Sequence, residues 1–259
     1  MGRHTLIRAE RFLDAQEIGK LARPGDFYDF SRYRPRVMNV GVERRVTVPN
    51  TTLLYAQRDQ TPDLLFLHLL EPHIQGEDFV ESVLEILKHY NVKRYTQVGG
   101  VSDAVPHTRP LLVTGTGPQE QVERFGIQRS NYQGPTSIVS MISIEAQKMG
   151  IESMNMLVRL PHYAQLDEDY SGVARLLEIL CELYDLPDHL IDRERGSRQY
   201  RQVDEAVAKN PQAESLIRQL ESSYDASAQP APDQDVQPLS SEVQQFLQEM
   251  DERLGDGSD

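Results

Sequence analysis

The chain has 259 residues, with 27 Lys and Arg against 40 Asp and Glu for a formal net charge of −13, and a single cysteine, Cys181. That length is ample for a sizeable core, whereas one cysteine excludes an internal disulfide and a Cys-based zinc cluster. An acidic surface repels phosphate backbones and argues against nucleic-acid binding; the 13 acidic and 4 basic side chains from Arg201 to Asp259 carry most of the excess.

Residues Met1 to Glu10 lack the apolar core of a secretory signal, so a cytoplasmic chain is expected. Arg45 to Val48 and Thr51 to Gln57 read as short strands around a Pro49-Asn50 turn. The apolar run Leu64 to Leu70, broken by His68, is too short to cross a bilayer. It has the character of a strand covered on both faces. Phe79, Val83, Ile86, Leu87 and Tyr90 then fall on one helical stripe, with Glu77 and Asp78 in the first turn and Lys88 and His89 in the last. Asn91 suits the left-handed position after that helix, and Arg94 to Val98 begins a second strand.

Gly115-Thr116-Gly117 is followed by Pro118, which is not a dinucleotide fingerprint; it predicts a turn between a strand and a helix over Gln119 to Arg124. Ile138 to Ile144 is a helix apolar nearly all round, ended by Gly150, and Ser153 to Leu160 is a strand. Val173, Leu176, Leu177, Leu180 and Tyr184 again mark one helix face, with Cys181 beside it as a small buried hydrophobe.

The expected fold class is therefore α/β: a mostly parallel central sheet flanked by helices, with a helical C-terminal extension. The core spans 1–192 and the extension 193–224, where Pro211 separates two charged helices. A disordered linker over 225–238 is rich in Ala, Ser, Gln, Pro and Asp. Residues 239–259 carry a short amphipathic helix, with Val243, Phe246, Leu247 and Met250 as its stripe, and an acidic tail.

In parallel sheets, ligand sites form beyond the carboxyl ends of the strands. By that rule the first strand ends in Glu71-Pro72, the second in Gly99-Gly100, and the strand near residue 160 in Pro161-His162-Tyr163. The loop after Gly100 holds Val105-Pro106-His107-Thr108-Arg109-Pro110. Gly134-Pro135-Thr136-Ser137 opens the apolar helix, whose free backbone N–H groups make a candidate anion site, with His107, Arg109 and His162 supplying positive charge. The competing account is turn chemistry, with each histidine tying a loop to the backbone. The sequence has no phosphate-binding loop pattern, nucleophile elbow or paired-histidine zinc motif, and no cofactor or metal is expected.

These residues also carry a resemblance. Asp26-Phe27-Tyr28-Asp29-Phe30, the Val105 to Pro110 loop followed by Val113-Thr114-Gly115-Thr116, Gly134-Pro135-Thr136 and Pro161-His162-Tyr163 occur in that order. Together, over about Phe12 to Tyr224, they resemble the bacterial branch of the proteasome assembly chaperone family, which includes the second eukaryotic assembly chaperone and archaeal relatives. The resemblance implies a phosphorylase-like α/β fold, a tendency to form homo-oligomers and, in eukaryotes and archaea, a role in assembling or binding proteasome subunits; the leading expectation is a non-enzymatic, homo-oligomeric interaction protein with a protein client such as proteasome subunits, and the acidic charge and short apolar runs leave no nucleic acid or membrane partner expected. The alternative is a small-molecule or anion-binding protein, or an ATP-dependent ligase-like enzyme, using the strand-end pocket. Three departures are visible. The chain has no tryptophan and begins too late for the family's first strand and turn, so the expectation is either a sheet lacking that strand or a misplaced start codon. Ser137 stands where glycine is expected, and the end Gly255-Asp256-Gly257-Ser258-Asp259 lacks the hydrophobic-Tyr-X tail of proteasome-binding relatives.

Overall fold

The computed structural model describes residues 1–59, 62–130 and 132–228. Helix α1 (Gly2–Phe12) and strand β1 (Gln16–Lys20) come first, then a hairpin of β2 (Arg36–Val40) and β3 (Glu43–Thr47). Strands β4 (Thr52–Ala56) and β5 (Leu64–His68) precede helix α2 (Gly76–His89) and the long strand β6 (Arg94–Asp103). Next are β7 (Val113–Thr116), α3 (Gln119–Arg124), β8 (Gln128–Arg129), α4 (Ile138–Lys148) and β9 (Glu152–Pro161). Helices α5 (Tyr170–Tyr184), α6 (Arg193–Val207) and α7 (Pro211–Ala228) complete the described chain. Met1–Glu221 forms one compact unit and Ser222–Asp259 a second. The terminal amphipathic helix, and the linker from residue 229 onward, lie outside the described residues.

The protein is mixed α/β, but the expected mostly parallel sheet is corrected. The described strands form three sheets, ordered β1-β4-β5, β2-β3 and β6-β9-β7-β8. The first two are antiparallel throughout. In the third, β6/β9 and β7/β8 are parallel and β7/β9 antiparallel. The reason is visible at β4 and β5, joined by only the loop 57–63: a parallel pair needs a crossover of a dozen residues or more. Strand β5 is also an edge strand, partly covered rather than buried on both faces, and α2 links two different sheets.

The third sheet is covered on both faces. Met154, Met156 and Val158 of β9, all fully buried, pack with Leu176 and Ile179 of α5, and the period of two sends Ser153 the other way, where its hydroxyl donates to the Ser143 carbonyl of α4. Burying each of those β9 side chains contributes roughly 1.5–3 kcal/mol. On the α4 face, Ile138, Ile142 and Ala146 meet Phe79 and Val83 of α2 and Tyr95 of β6. Cys181 is buried among Leu177, Phe66 and Ala56, and that burial pushes its thiol up to about 11, so it is a packing residue. Asn91 and Gly150 adopt the left-handed conformations expected after α2 and α4.

Candidate functional site

The candidate residues fall into groups held by different elements. The first surrounds the loop after β6. That strand continues through Asp103, fully paired with β9, so Gly99 and Gly100 lie mid-strand rather than at its end. A Cβ on Gly99 would press on the side-chain end of Leu157 and one on Gly100 on those of Met1 and Leu160, so both glycines are closely packed within the strand rather than part of a turn. At the true strand end, Arg159 donates to Asp103 at 2.5 Å and holds that carboxyl below its usual range. His162 donates from Nδ1 to the Asp103 carbonyl at 3.0 Å.

His107 is buried, and its backbone N–H donates to the Tyr163 hydroxyl at 2.8 Å. The same hydroxyl lies 2.6 Å from Nδ1, while Nε2 lies 2.8 Å from the Asp204 carboxylate of α6. A carboxylate only accepts, so Nε2 carries a proton and donates to Asp204. Burial is the main cause of the raised pKa of Tyr163. The rings of His107 and His162 both stand edge-on to Tyr163, at 5.7 and 5.6 Å. Tyr200 of α6 is edge-on to His107 and donates to Asp169, whose other oxygen caps α5 at Gly172. Thr108 and Arg109 both donate to Glu221 of α7, at 2.5 and 3.1 Å. The backbone N–H and both ring nitrogens of His107 thus have protein partners, as does Arg109.

The second group is the start of α4. Ser137 is its N-cap, accepting from Ser140, which gives the departure from glycine a physical role. Both oxygens of Glu71 accept from the Ile138 N–H, at 2.9 and 3.1 Å. The N–H groups expected to be open to an anion are therefore corrected: two of them are taken by the chain itself. Gly134-Pro135-Thr136 forms the approach, braced by the Tyr132 hydroxyl donating to the Pro135 carbonyl at 3.1 Å.

A cavity of about 530 Å³ lies elsewhere, between α2 and the β1-β4-β5 sheet, with Leu53, Leu67, Phe79 and Val83 as walls and Lys20 and His89 among its polar residues. None of the sequence candidates lines it. Among the described residues no cluster of three or more His, Cys, Asp or Glu side chains suits a metal ion, and no helix is long and apolar enough to cross a membrane. Sequence reasoning missed Asp103, Asp204 and Glu221. The last two sit on charged helices that look like ordinary solvated surface, and no local signal marks them as partners of a loop about 100 residues earlier.

A family model described as the PAC2 family matches residues 10–210. No curated protein matches the sequence. Among solved structures, the fold is similar to a Mycobacterium tuberculosis proteasome-assembly chaperone homologue at 20% identity, covering 83% of this chain and 92% of that one with a TM-score of 0.73. It is similar to a PAC2 family protein of Streptomyces avermitilis at 23% identity, with 85% and 92% covered and a TM-score of 0.71. A Pyrococcus furiosus protein, PbaB, described as an archaeal proteasome activator, shares 12% identity over 78% of this chain and 86% of its own, with a TM-score of 0.57. At these identities the likeness establishes the fold.

Proposed function

The chain belongs to the PAC2 family, and from that premise we propose that it is a proteasome-assembly-chaperone-like interaction protein, non-enzymatic, cytoplasmic and homo-oligomeric, with a protein client such as proteasome subunits. The observation that carries this reading is where the bare apolar surface lies. Val37, Met38, Val40, Val42 and Val46 of the β2–β3 hairpin and Met141 and Ile144 of α4 are exposed, and such clusters favour protein contact. The strand-end groups, by contrast, are satisfied from within. An anion at α4 would have to displace Glu71, and one at Arg109 would have to compete with Glu221. The anion-binding or ligase-like alternative therefore has to break an existing helix-cap hydrogen bond or an existing ion pair before it begins.

The test is affinity purification from the native cell, followed by reconstitution with the purified client. A stoichiometric protein complex that forms without nucleotide supports the reading. Failure to bind any purified client, together with nucleotide turnover by the protein alone, would replace it with the enzymatic alternative.

A further inference from the structure

The cavity of about 530 Å³ beside α2 differs from the strand-end groups in having apolar walls left open. Its floor is Leu53 of β4 and Leu67 of β5, and one wall is the α2 stripe of Phe79, Val83 and Ile86. The opposite wall is a run of four consecutive residues, Ile18 to Leu21. One face of a strand offers only every second residue, and the bulge between Glu17 and Gly19 accounts for a single neighbouring pair. An unbroken run of four therefore sets the cavity against the edge of β1. Its mouth is bare, with Ile18 42% and Tyr90 43% exposed.

That edge is open. Among the described residues β1 pairs only with β4. The Leu21 N–H donates to the Thr51 carbonyl, and Lys20 lies opposite Thr52. Lys20 is thus at a non-hydrogen-bonded position of the ladder, and its own N–H and carbonyl point away from β4.

These two features select the occupant. An open backbone donor and acceptor beside an apolar slot match an extended main chain, which pairs with the edge while its alternate side chains enter the slot. A small apolar molecule would suit the cavity's size but would leave the Lys20 backbone groups unpaired. A second copy of the sheet fits less well, because the bulge and the Lys20–Glu17 pair are devices that keep sheet edges from joining each other.

We propose that the β1 edge and α2 form a groove that takes an extended segment of a partner protein as an added strand, with its alternate apolar side chains in the cavity. Strand β1 has five residues, a length of about 17 Å, so the segment is equally short. The inference rests on the protein-interaction reading above and adds the surface and the kind of segment it receives.

The experiment selects a random heptapeptide display library against the full chain. An enriched peptide is then made with a fluorophore, as is a form N-methylated at alternate backbone amides. Fluorescence anisotropy follows both on wild type, Lys20→Pro and Ser82→Trp. Proline at 20 removes an outward N–H, which an edge strand tolerates, and tryptophan at 82 fills the cavity from α2 without deleting a core side chain. Thermal melts check that both variants fold; the N-methylated peptide on wild type decides the matter even if one does not. The expected result is enrichment of peptides with apolar residues at alternate positions. Affinity should fall about tenfold or more on N-methylation and in each variant, the scale of one lost buried hydrogen bond. No enrichment, or binding indifferent to N-methylation and to Lys20→Pro, overturns the added strand. So does an anilinonaphthalene sulfonate signal that Ser82→Trp abolishes when no peptide is selected, which gives the cavity to a small apolar ligand. Self-association that Lys20→Pro removes in light scattering gives the edge to a second copy instead. A purified client that binds wild type and both variants equally overturns the groove while the interaction reading stands.

Discussion

Glu71 caps helix α4: both of its carboxylate oxygens accept from the backbone N–H of Ile138, 67 residues along the chain. The helix start that looked from its glycine and proline like an anion site already holds an anion. The positive end of the helix dipole and an orphan first-turn donor are satisfied together.

Glu71→Ala is therefore expected to cost about 1 kcal/mol, in line with other lost helix caps, and to lower the melting temperature by a few degrees. Added phosphate should restore part of that loss in the variant and leave wild type unchanged. Thermal melts with and without phosphate check both statements; equal stabilisation of the two proteins would show that Glu71 does not occupy the site.

The hydrogen-bonded chain Asp204–His107–Tyr163, with His107 buried at its centre, is expected to behave as one unit. Tyr163→Phe removes the hydroxyl that both accepts the His107 N–H and serves Nδ1, and leaves buried polar atoms unpartnered, costing about 1–3 kcal/mol. Asp204→Ala strips the partner from Nε2. Denaturant unfolding of the two single variants and the double should give a coupling energy of roughly 0.5–3 kcal/mol. Simple additivity would mean that the two contacts are independent.

Asp103 sets an acid-side dependence. The hydrogen bond from Arg159 holds its carboxyl below the usual range, so the folded state binds its proton less tightly than the unfolded state. The resulting stability is present above the unfolded carboxyl value of about 4 and is lost as pH falls through the lower folded value. With the two side chains 28% and 33% exposed, solvent limits the contribution to about 1 kcal/mol or less. Asp103→Asn should lower stability at neutral pH and flatten its pH dependence in that acid window, as read by denaturant midpoints across pH.

Gly115 lies in β7 opposite Met156, and a Cβ there would overlap the Asn155 carbonyl of β9. Gly115→Ala should force the two strands apart and cost about 2 kcal/mol or more. Gly126→Ala meets no atom within 4 Å, but its φ of +62° makes it cost about 1 kcal/mol. Comparable unfolding midpoints for the two variants would contradict the strand packing.

Residues Phe79 to Tyr90, Ile138 to Ile144 and Val173 to Tyr184 announced their helices, because a stripe at helical spacing is a local property that burial on one face requires. The Val105 to Pro110 and Pro161 to Tyr163 motifs likewise carried the family in their own residues. Strand direction was not local. The apolar run at Leu64 said that a strand would be covered, but only its pairing with β4 through a short loop made it antiparallel and an edge. The diglycine at 99–100 resembled a strand end because glycine serves turns and close packing alike, and β9 decided for packing. The polar groups of His107, Thr108 and Arg109 were legible as chemistry, yet their partners Asp204 and Glu221 come from helices some 100 residues later. Sequence alone determined which side chains would need partners. Tertiary structure decided which groups satisfy them, since a buried donor or acceptor takes whichever complement the packed helices bring within hydrogen-bond distance.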